Sequence, residues 1–543
     1  MHEDADLLVV HKPSGVPCHA PEARHADDLT VRLRSFLAQR DAVLPQDLYL
    51  VVHGCLDQAA SGLVVFSRNP QAAASLVPQF ERFAVQTQYL VCVTGYQDGP
   101  SFLRSRPRRT KGAGGRRAPQ KAPALRVQPL QRSGERCMLA VGATGAGGLQ
   151  LRMLLAERGA PVAGDGRYGG ALAPHMLLHL ERLALRHPDG TAREWSVPAP
   201  AAFELWLARG LPALLDRAGL AAALPVAVQA RYALWHARQS ATGITAFRLV
   251  HGEADGMPGL TVDVYGNHLV VNLSDGAFDA EADVVGVLGE LGFAGVYVKR
   301  HPRQKNVLQE TPLVELCPEQ PSCGASAPTE FVVTEYGVPF GVRLGDGWRT
   351  GLFLDQRENR RRVAELARDK RVLNLFAYTG GFSVAALQGG AAAALCIDAS
   401  AAALARAREN VSRIGALERY RAHTGDVFEL LPKLARRGEL FDVIVLDPPS
   451  YATTKRNRFR AVKDYPALVA LVLPLLAKGG YLLSCLNHHQ VSPSRLRAMV
   501  AEGARLSGVQ WRSHRDLSPP GDFPTAPGQQ PLFKSVLSQR GDG

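Results

Sequence analysis

Residues 372–387, V-L-N-L-F-A-Y-T-G-G-F-S-V-A-A-L, leave a chain few ways to fold. A strand over 372–376 runs into the pair Gly380-Gly381, and a helix is expected behind it. A run of β-branched and aromatic residues that stops at paired glycines reads as the strand–turn–helix of a doubly wound α/β sheet. Glycine lets the backbone approach a ligand closely, and the first turn of a helix offers free N–H groups. A second apolar run, 394–397, ends in Asp398, and a carboxylate at the end of the second strand is placed to bond a ribose hydroxyl pair. Gly425-Asp426 follows, then F-D-V-I-V-L-D-P-P at 441–449, a strand ending at Asp447-Pro448-Pro449. The turn is not G-x-G-x-x-G, and no phosphate-binding lysine follows it, which argues against a dinucleotide or nucleoside triphosphate site.

Taken in order, these signals resemble the class I S-adenosylmethionine methyltransferases. The resemblance implies a seven-stranded Rossmann-like domain. It implies cofactor contacts from Gln356, Arg357, Phe376, Thr379, Gly380, Gly381, Asp398, Asp426 and Asp447, with Gln356 and Arg357 near the methionine end. Asp426, before V-F-E-L-L, also suits a helix N-cap. Two further blocks, F-R-L-V-H-G-E-A-D-G-M-P-G-L-T-V-D-V-Y-G at 247–266 and T-G-L-F-L-D-Q-R-E-N-R at 350–360, resemble the bacterial methyltransferases that make 5-methylcytosine in 23S ribosomal RNA. That likeness covers about residues 231–539 and implies a central α+β domain ahead of the catalytic one.

Asp447-Pro448-Pro449-Ser450-Tyr451 is the expected catalytic shelf. Proline removes an N–H donor and stiffens the backbone, so the aspartate and nearby carbonyls can hold a base amino group. Tyr451 can stack on a flipped-out base, and the basic stretch with Lys455 and Arg456 suits a grip on RNA. Methylation at carbon-5 of cytosine first needs a thiolate at carbon-6, hence a cysteine. The resemblance puts that cysteine at Asn487, while Cys485 lies two residues earlier, on the same face of a strand. Both are candidates. Cys485 keeps the cytosine reading, which is preferred. Asn487 fits guanine or another nitrogen target, and D-P-P-S-Y-A-T-T-K-R with S-C-L-N also resembles the guanine-N7 methyltransferases of 23S RNA.

The first half carries different marks. D-L-L-V-V-H-K-P-S-G at 6–15, H-G-C-L-D at 53–57, a tyrosine strand at 88–95, Q-L-R at 150–152 and G-D-G-R-Y-G at 164–169 resemble, in order over about residues 6–188, the pseudouridine synthases of large-subunit ribosomal RNA. The resemblance implies a mostly β fold with Asp57 catalytic, Tyr89 beside it and Arg152 paired to the aspartate. A carboxylate in a cleft needs such a partner, because an unpaired buried charge protonates. The chain departs from the pattern where RNA is positioned: Cys55 stands at the box arginine, Ala60 at a threonine and Leu149 at a histidine. An active synthase and an RNA-binding module that has lost catalysis both remain open.

Within this half lies R-S-R-P-R-R-T-K-G-A-G-G-R-R-A-P-Q-K at 104–121, without an acid or an apolar period. Arg104, Arg106, Arg108, Arg109, Lys111, Arg116 and Arg117 are expected to meet phosphates without reading sequence. The net charge of +13 and pI near 9.5 favour a polyanionic partner, here ribosomal RNA of the 23S class. Eight cysteines with no C-x-x-C give no expectation of a metal or a disulfide framework and fit a reducing cytoplasm. No apolar run reaches the roughly 20 residues that span a bilayer. The expected organisation is an α/β and α+β multidomain chain: synthase-like 1–212, helical linker 213–230, central domain 231–330 and methyltransferase 331–543.

Overall fold

The computed structural model describes residues 2–19, 28–82, 84–97, 99–104, 124–144, 147–171, 173, 175–210, 215–237, 243–302, 313–453, 458–526 and 529–542. They form two compact units. One holds residues 1–235 together with Gly252–Gly259 and Asp279–Val287, and the other holds His236–His251, Leu260–Phe278 and Leu288–Gly543.

The first unit is built on a ten-stranded sheet. Its path runs His2–Glu3, Leu7–Lys12, Ser61–Ser67, Leu178–Arg186, Gln86–Thr94, Arg136–Thr144, Ala124–Ser133, Ser101–Arg104. The apolar run over 61–67 is buried at every position, as a central strand with both faces covered must be. The helices Pro70–Glu81 and Gly148–Glu157 bury Leu76, Leu151 and Leu155 in the same core.

The second unit opens with a five-stranded sheet, Ala246–His251, Leu260–Tyr265, His268–Ser274, Gly295–His301 and Cys323–Gly324 in that order. A hairpin turns at Gly266-Asn267, with Tyr265 opposite His268 and Gly266 at φ +58°. Ala246, Tyr265 and Val270 of this sheet share one apolar cluster with Val372, Val443 and Cys485 of the next, so the central and catalytic sheets have a common core.

The catalytic sheet has seven strands: Arg371–Leu375 (β1), Ala393–Asp398 (β2), Tyr420–Thr424 (β3), Phe441–Leu446 (β4), Leu476–Asn487 (β5), Trp511–Leu517 (β6) and Phe533–Arg540 (β7). Their order is β3-β2-β1-β4-β5-β7-β6. The first five run parallel, β7 is antiparallel to β5, and β6 is antiparallel to β7. Around them lie Arg357–Leu366 (α1), Gly381–Gln388 (α2), Ala401–Arg413 (α3), Val427–Arg436 (α4), Ala461–Val472 (α5) and Pro493–Leu506 (α6). The order reverses between β1 and β4, and ligands of doubly wound sheets bind outside the strand ends at such a reversal. No helix among the described residues is long and apolar enough to cross a membrane.

Candidate active site

Four buried residues of β1 lead into a loop that turns sharply. Phe376, Tyr378 and Gly380 all have positive φ, at +57°, +49° and +74°. Two non-glycine residues in the left-handed region within one loop hold backbone strain, which persists only where surrounding contacts enforce it. The Tyr378 N–H donates to Asp398 Oδ2 at 2.8 Å. Thr379 Oγ1 donates to the Gly351 carbonyl at 2.6 Å, and Asn410 Nδ2 donates to the Thr379 carbonyl at 3.0 Å. A Cβ on Gly380 would meet Ala407 Cβ of α3 at 2.7 Å, so the loop can press against that helix only with glycine. Gly381 then opens α2.

Asp398 ends β2 and takes a second backbone donor, Ser400 N–H, on Oδ1 at 2.8 Å. The Gly425 N–H donates to the Asp398 carbonyl at 2.9 Å, which ties the ends of β2 and β3 together. Asp426 caps α4 by accepting the Phe428 N–H at 2.9 Å.

The end of β4 meets the polar side chains of the 355–359 segment. Asp447 Oδ2 accepts from Gln356 Nε2 at 2.8 Å, and Gln356 Oε1 accepts from Asn359 Nδ2 at 2.9 Å. Burial, then the nearby Asp355 charge, pushes the Asp447 carboxyl up to about 7. Asp355 is itself pushed up to about 6 by burial, against the pull of Arg248 and Arg360. Two carboxyls that resist ionising together, one at the end of a catalytic-type strand, mark a functional site.

Cys485 lies beneath this network. It is wholly buried, its Sγ is 3.8 Å from Gln356 Oε1 and 3.9 Å from Asn359 Nδ2, and burial with the Asp447 charge drives its thiol well above the usual range. Asn487 is exposed at the end of β5, and its carbonyl accepts the hydroxyl of Ser450 from the D-P-P-S segment. Pro448 is buried, Pro449 exposed, and Tyr451 is 51 % exposed.

The strand ends thus gather Gln356, Phe376, Thr379, Gly380, Gly381, Asp398, Asp426, Asp447, Pro448, Pro449 and Asn487. Arg357, expected near the methionine end, forms a buried ion pair. Its guanidinium is buried and paired with Asp522, with Nη1 3.1 Å from Oδ2. Asp522 is 165 residues away, so the pair had no local signal in the sequence. Sequence reasoning also missed Asn359, whose amide links Gln356 to Cys485, and Asp355, whose charge helps to raise the Asp447 carboxyl. All six residues of 355–360 are polar, and that run was the available sign that this stretch meets polar partners on more than one side.

In the first unit the three expected residues meet. Arg152 Nη1 donates to Asp57 Oδ2 at 2.8 Å. Arg152 Nε and Nη2 hold Asp165 at 2.6 and 2.8 Å, a bidentate pair in which Asp165 is buried. Tyr89 is 4 % exposed, and burial together with the Asp57 charge raises its hydroxyl. Asp165 comes from the G-D-G-R-Y-G stretch. It fixes the arginine so that one guanidinium nitrogen remains for Asp57. Lys12 Nζ donates to the carbonyls of Pro13, Val16, Gln58 and Ala60 at 2.6–3.1 Å and so holds the loop after Asp57. The side chain of Arg104 and all of Arg106, Arg108, Arg109, Lys111, Arg116, Arg117, Lys455 and Arg456 lie outside the described residues.

This sheet order, strained glycine loop and row of acids at the strand ends define a class I methyltransferase. The family model for S-adenosylmethionine-dependent methyltransferases matches residues 249–533, and the chain belongs to that family. It is an enzyme with S-adenosylmethionine as its cofactor. A model for RNA pseudouridylate synthases matches residues 6–132. Among curated relatives, a "Ribosomal RNA large subunit methyltransferase" of Deinococcus radiodurans is 35% identical over 315 residues, which is 56% of this chain and 74% of that protein. The "Ribosomal RNA large subunit methyltransferase I" of Aeromonas salmonicida is 37% identical over 288 residues, 52% of this chain and 71% of that one. A solved structure, SMU.776, described as a methyltransferase complexed with SAH, superposes with a TM-score of 0.53 at 25% identity, over 60% of this chain and 82% of that one.

Proposed function

We propose that the chain methylates a nitrogen of a guanine base in large-subunit ribosomal RNA. The substrate class rests on the two relatives' names and on the net charge of +13. The choice of atom rests on one observation: the exposed position at the end of β5, beside Ser450, is Asn487, while the thiol of Cys485 is sealed under Gln356 and Asn359. A cytosine enzyme needs a thiolate that can reach carbon-6 of the base. A buried thiol pushed further from ionising by the Asp447 charge is poorly suited to that task. A guanine nitrogen needs no covalent step, because its own lone pair takes the methyl group.

S-adenosylmethionine, when bound, supplies that methyl on a positively charged sulfur. The chain's part is to hold, orient and accept a proton. Each Asp398 oxygen keeps a lone pair beyond its backbone bond, which suits the ribose hydroxyls. Asp426, at the end of β3, suits an adenine amino group. Gln356 and the loop 376–381 suit the methionine part. Asp447, with its carboxyl near 7, is matched to hold a base amino group and to take a proton from it near neutral pH. Tyr451 and the basic stretches would grip the RNA. Methylating rRNA in vitro and digesting it to nucleosides tests this: methylguanosine is expected, and 5-methylcytidine would refute it.

A second activity is favoured by the Asp57–Arg152–Asp165 chain of contacts. An arginine held bidentately by one buried acid, with one nitrogen left for Asp57, keeps Asp57 oriented. We infer that the first unit still converts a uridine to pseudouridine. Asp57→Asn should abolish one pseudouridine and leave methylation intact. Unchanged pseudouridine content would leave this half as an RNA-binding module. The segments 1–212, 213–230, 231–330 and 331–543 are our assignment of these roles along the chain.

A further inference from the structure

We propose that His2, Asp4 and His187 form a binding site for one divalent transition-metal ion, of the zinc, cobalt or nickel kind, in the first unit. His2 Nε2 lies 2.7 Å from Asp4 Oδ2, and His187 Nε2 lies 3.1 Å from the same oxygen. Among the described residues this is the group of His, Cys, Asp and Glu whose ligand atoms converge within 4.8 Å. The ligands come from three places: the edge strand His2–Glu3, the turn after it, and the residue that follows the strand Leu178–Arg186. No motif in the sequence could join positions this far apart.

Each ligand is held for the task by something other than its neighbours in the group. Asp4 spends Oδ1 on the N–H groups of Asp6 and Leu7, at 2.9 and 2.7 Å, which leaves Oδ2 as a single fixed acceptor. The His187 ring is 5 % exposed, and its Nδ1 lies 3.0 Å from Asp189 Oδ2. The Asp189 N–H also donates to that nitrogen at 3.3 Å, so the Asp189 turn fixes the ring and points Nε2 at Asp4. Asp189 is anchored in turn by Thr191 N–H at 2.8 Å and Arg193 Nη2 at 3.0 Å. The His2 ring rests against Trp195, with centroids 5.3 Å apart. With bonds of about 2.1 Å, as such ions make to nitrogen and carboxylate oxygen, these spacings subtend roughly 80° and 95° at a common ion. Near-right angles from two imidazoles and one carboxylate leave positions for water, and imidazole with carboxylate suits zinc, nickel and cobalt over calcium or magnesium. The ion would clip the first strand to the end of Leu178–Arg186.

The test uses the untagged full-length chain, stripped with a chelator and titrated with Co2+ while visible absorption is followed. One equivalent should give a saturable band that Zn2+ displaces, and Zn2+ should raise the melting temperature of the chain. His2→Ala and Asp4→Asn should each weaken Co2+ binding at least tenfold. Both variants should fold, since His2 sits on a two-residue edge strand and Asn keeps the Oδ1 acceptor that holds the turn. Equal metal-free melting temperatures of wild type and variants check that point. Absence of a band in the wild type, or a band that both variants retain at full affinity, overturns the site and leaves a hydrogen-bonded pair of histidines on Asp4.

Discussion

Asp398 already accepts two backbone N–H groups, one on each oxygen, so its carboxylate is fixed before any cofactor arrives. Asp398→Ala removes both anchors and the ribose acceptor, and a lost buried hydrogen-bond partner costs about 1–3 kcal/mol. Calorimetry should therefore show S-adenosylmethionine affinity falling roughly ten- to a hundredfold, and unchanged affinity would remove Asp398 from the site. Asp447 makes a statement about pH. Its carboxyl sits near 7 in the fold, above the value it has unfolded, because burial and then Asp355 disfavour the charge. The folded chain thus keeps a proton that the unfolded chain has lost, so this group costs stability as pH rises from about 4 through 7. Thermal melts should show that decline in the wild type and a flatter profile in Asp447→Asn, which cannot ionise. Equal pH profiles for the two would show that Asp447 ionises freely. By the same titration, methylation should rise with pH through about 7 as the carboxylate becomes available to take a proton.

At the scale of the element, the loop between β1 and α2 carries the site. Gly380 has φ +74° and leaves no room for a Cβ against Ala407. Gly380→Ala adds a left-handed penalty of about 1–2 kcal/mol and forces α3 to shift. A melting temperature lower by several degrees, with weakened cofactor binding, is expected, and a silent substitution would show that the loop does not set the pocket. This loop was legible from sequence because strand, paired glycines and helix are local patterns. So were the acids at the ends of β2 and β4, since each directly follows an apolar run, whereas Asp426 follows the polar Y-R-A-H-T and was marked by Gly425 before it. What was not legible were pairings made by the fold. Arg357 reads locally as a charge at a helix start, yet burial obliges it to find a carboxylate, and the one it finds is Asp522. Arg360 likewise holds Glu335 through two bonds of 2.6 and 2.7 Å. The alternation that puts Cys485 and Asn487 on one face was visible, but not that Cys485 is covered and Asn487 open.

For the whole molecule, the chain joins a methyltransferase to a unit that resembles pseudouridine synthases, and both suit RNA. The basic stretch 104–121 should add affinity without sequence preference, so its deletion should flatten the dependence of log affinity on log salt. An unaltered slope would mean that it makes no phosphate contacts. In the proposed reaction a base nitrogen, not carbon-5 of cytosine, takes the methyl group. The most direct measurement pairs two enzymes, wild type and Cys485→Ser, on unmethylated large-subunit rRNA, followed by nucleoside mass spectrometry. Methylguanosine formed at similar rates by both, with Asn487→Ala and Asp447→Ala severely impaired, is the predicted result. Formation of 5-methylcytidine by the wild type and its loss in Cys485→Ser would contradict the account.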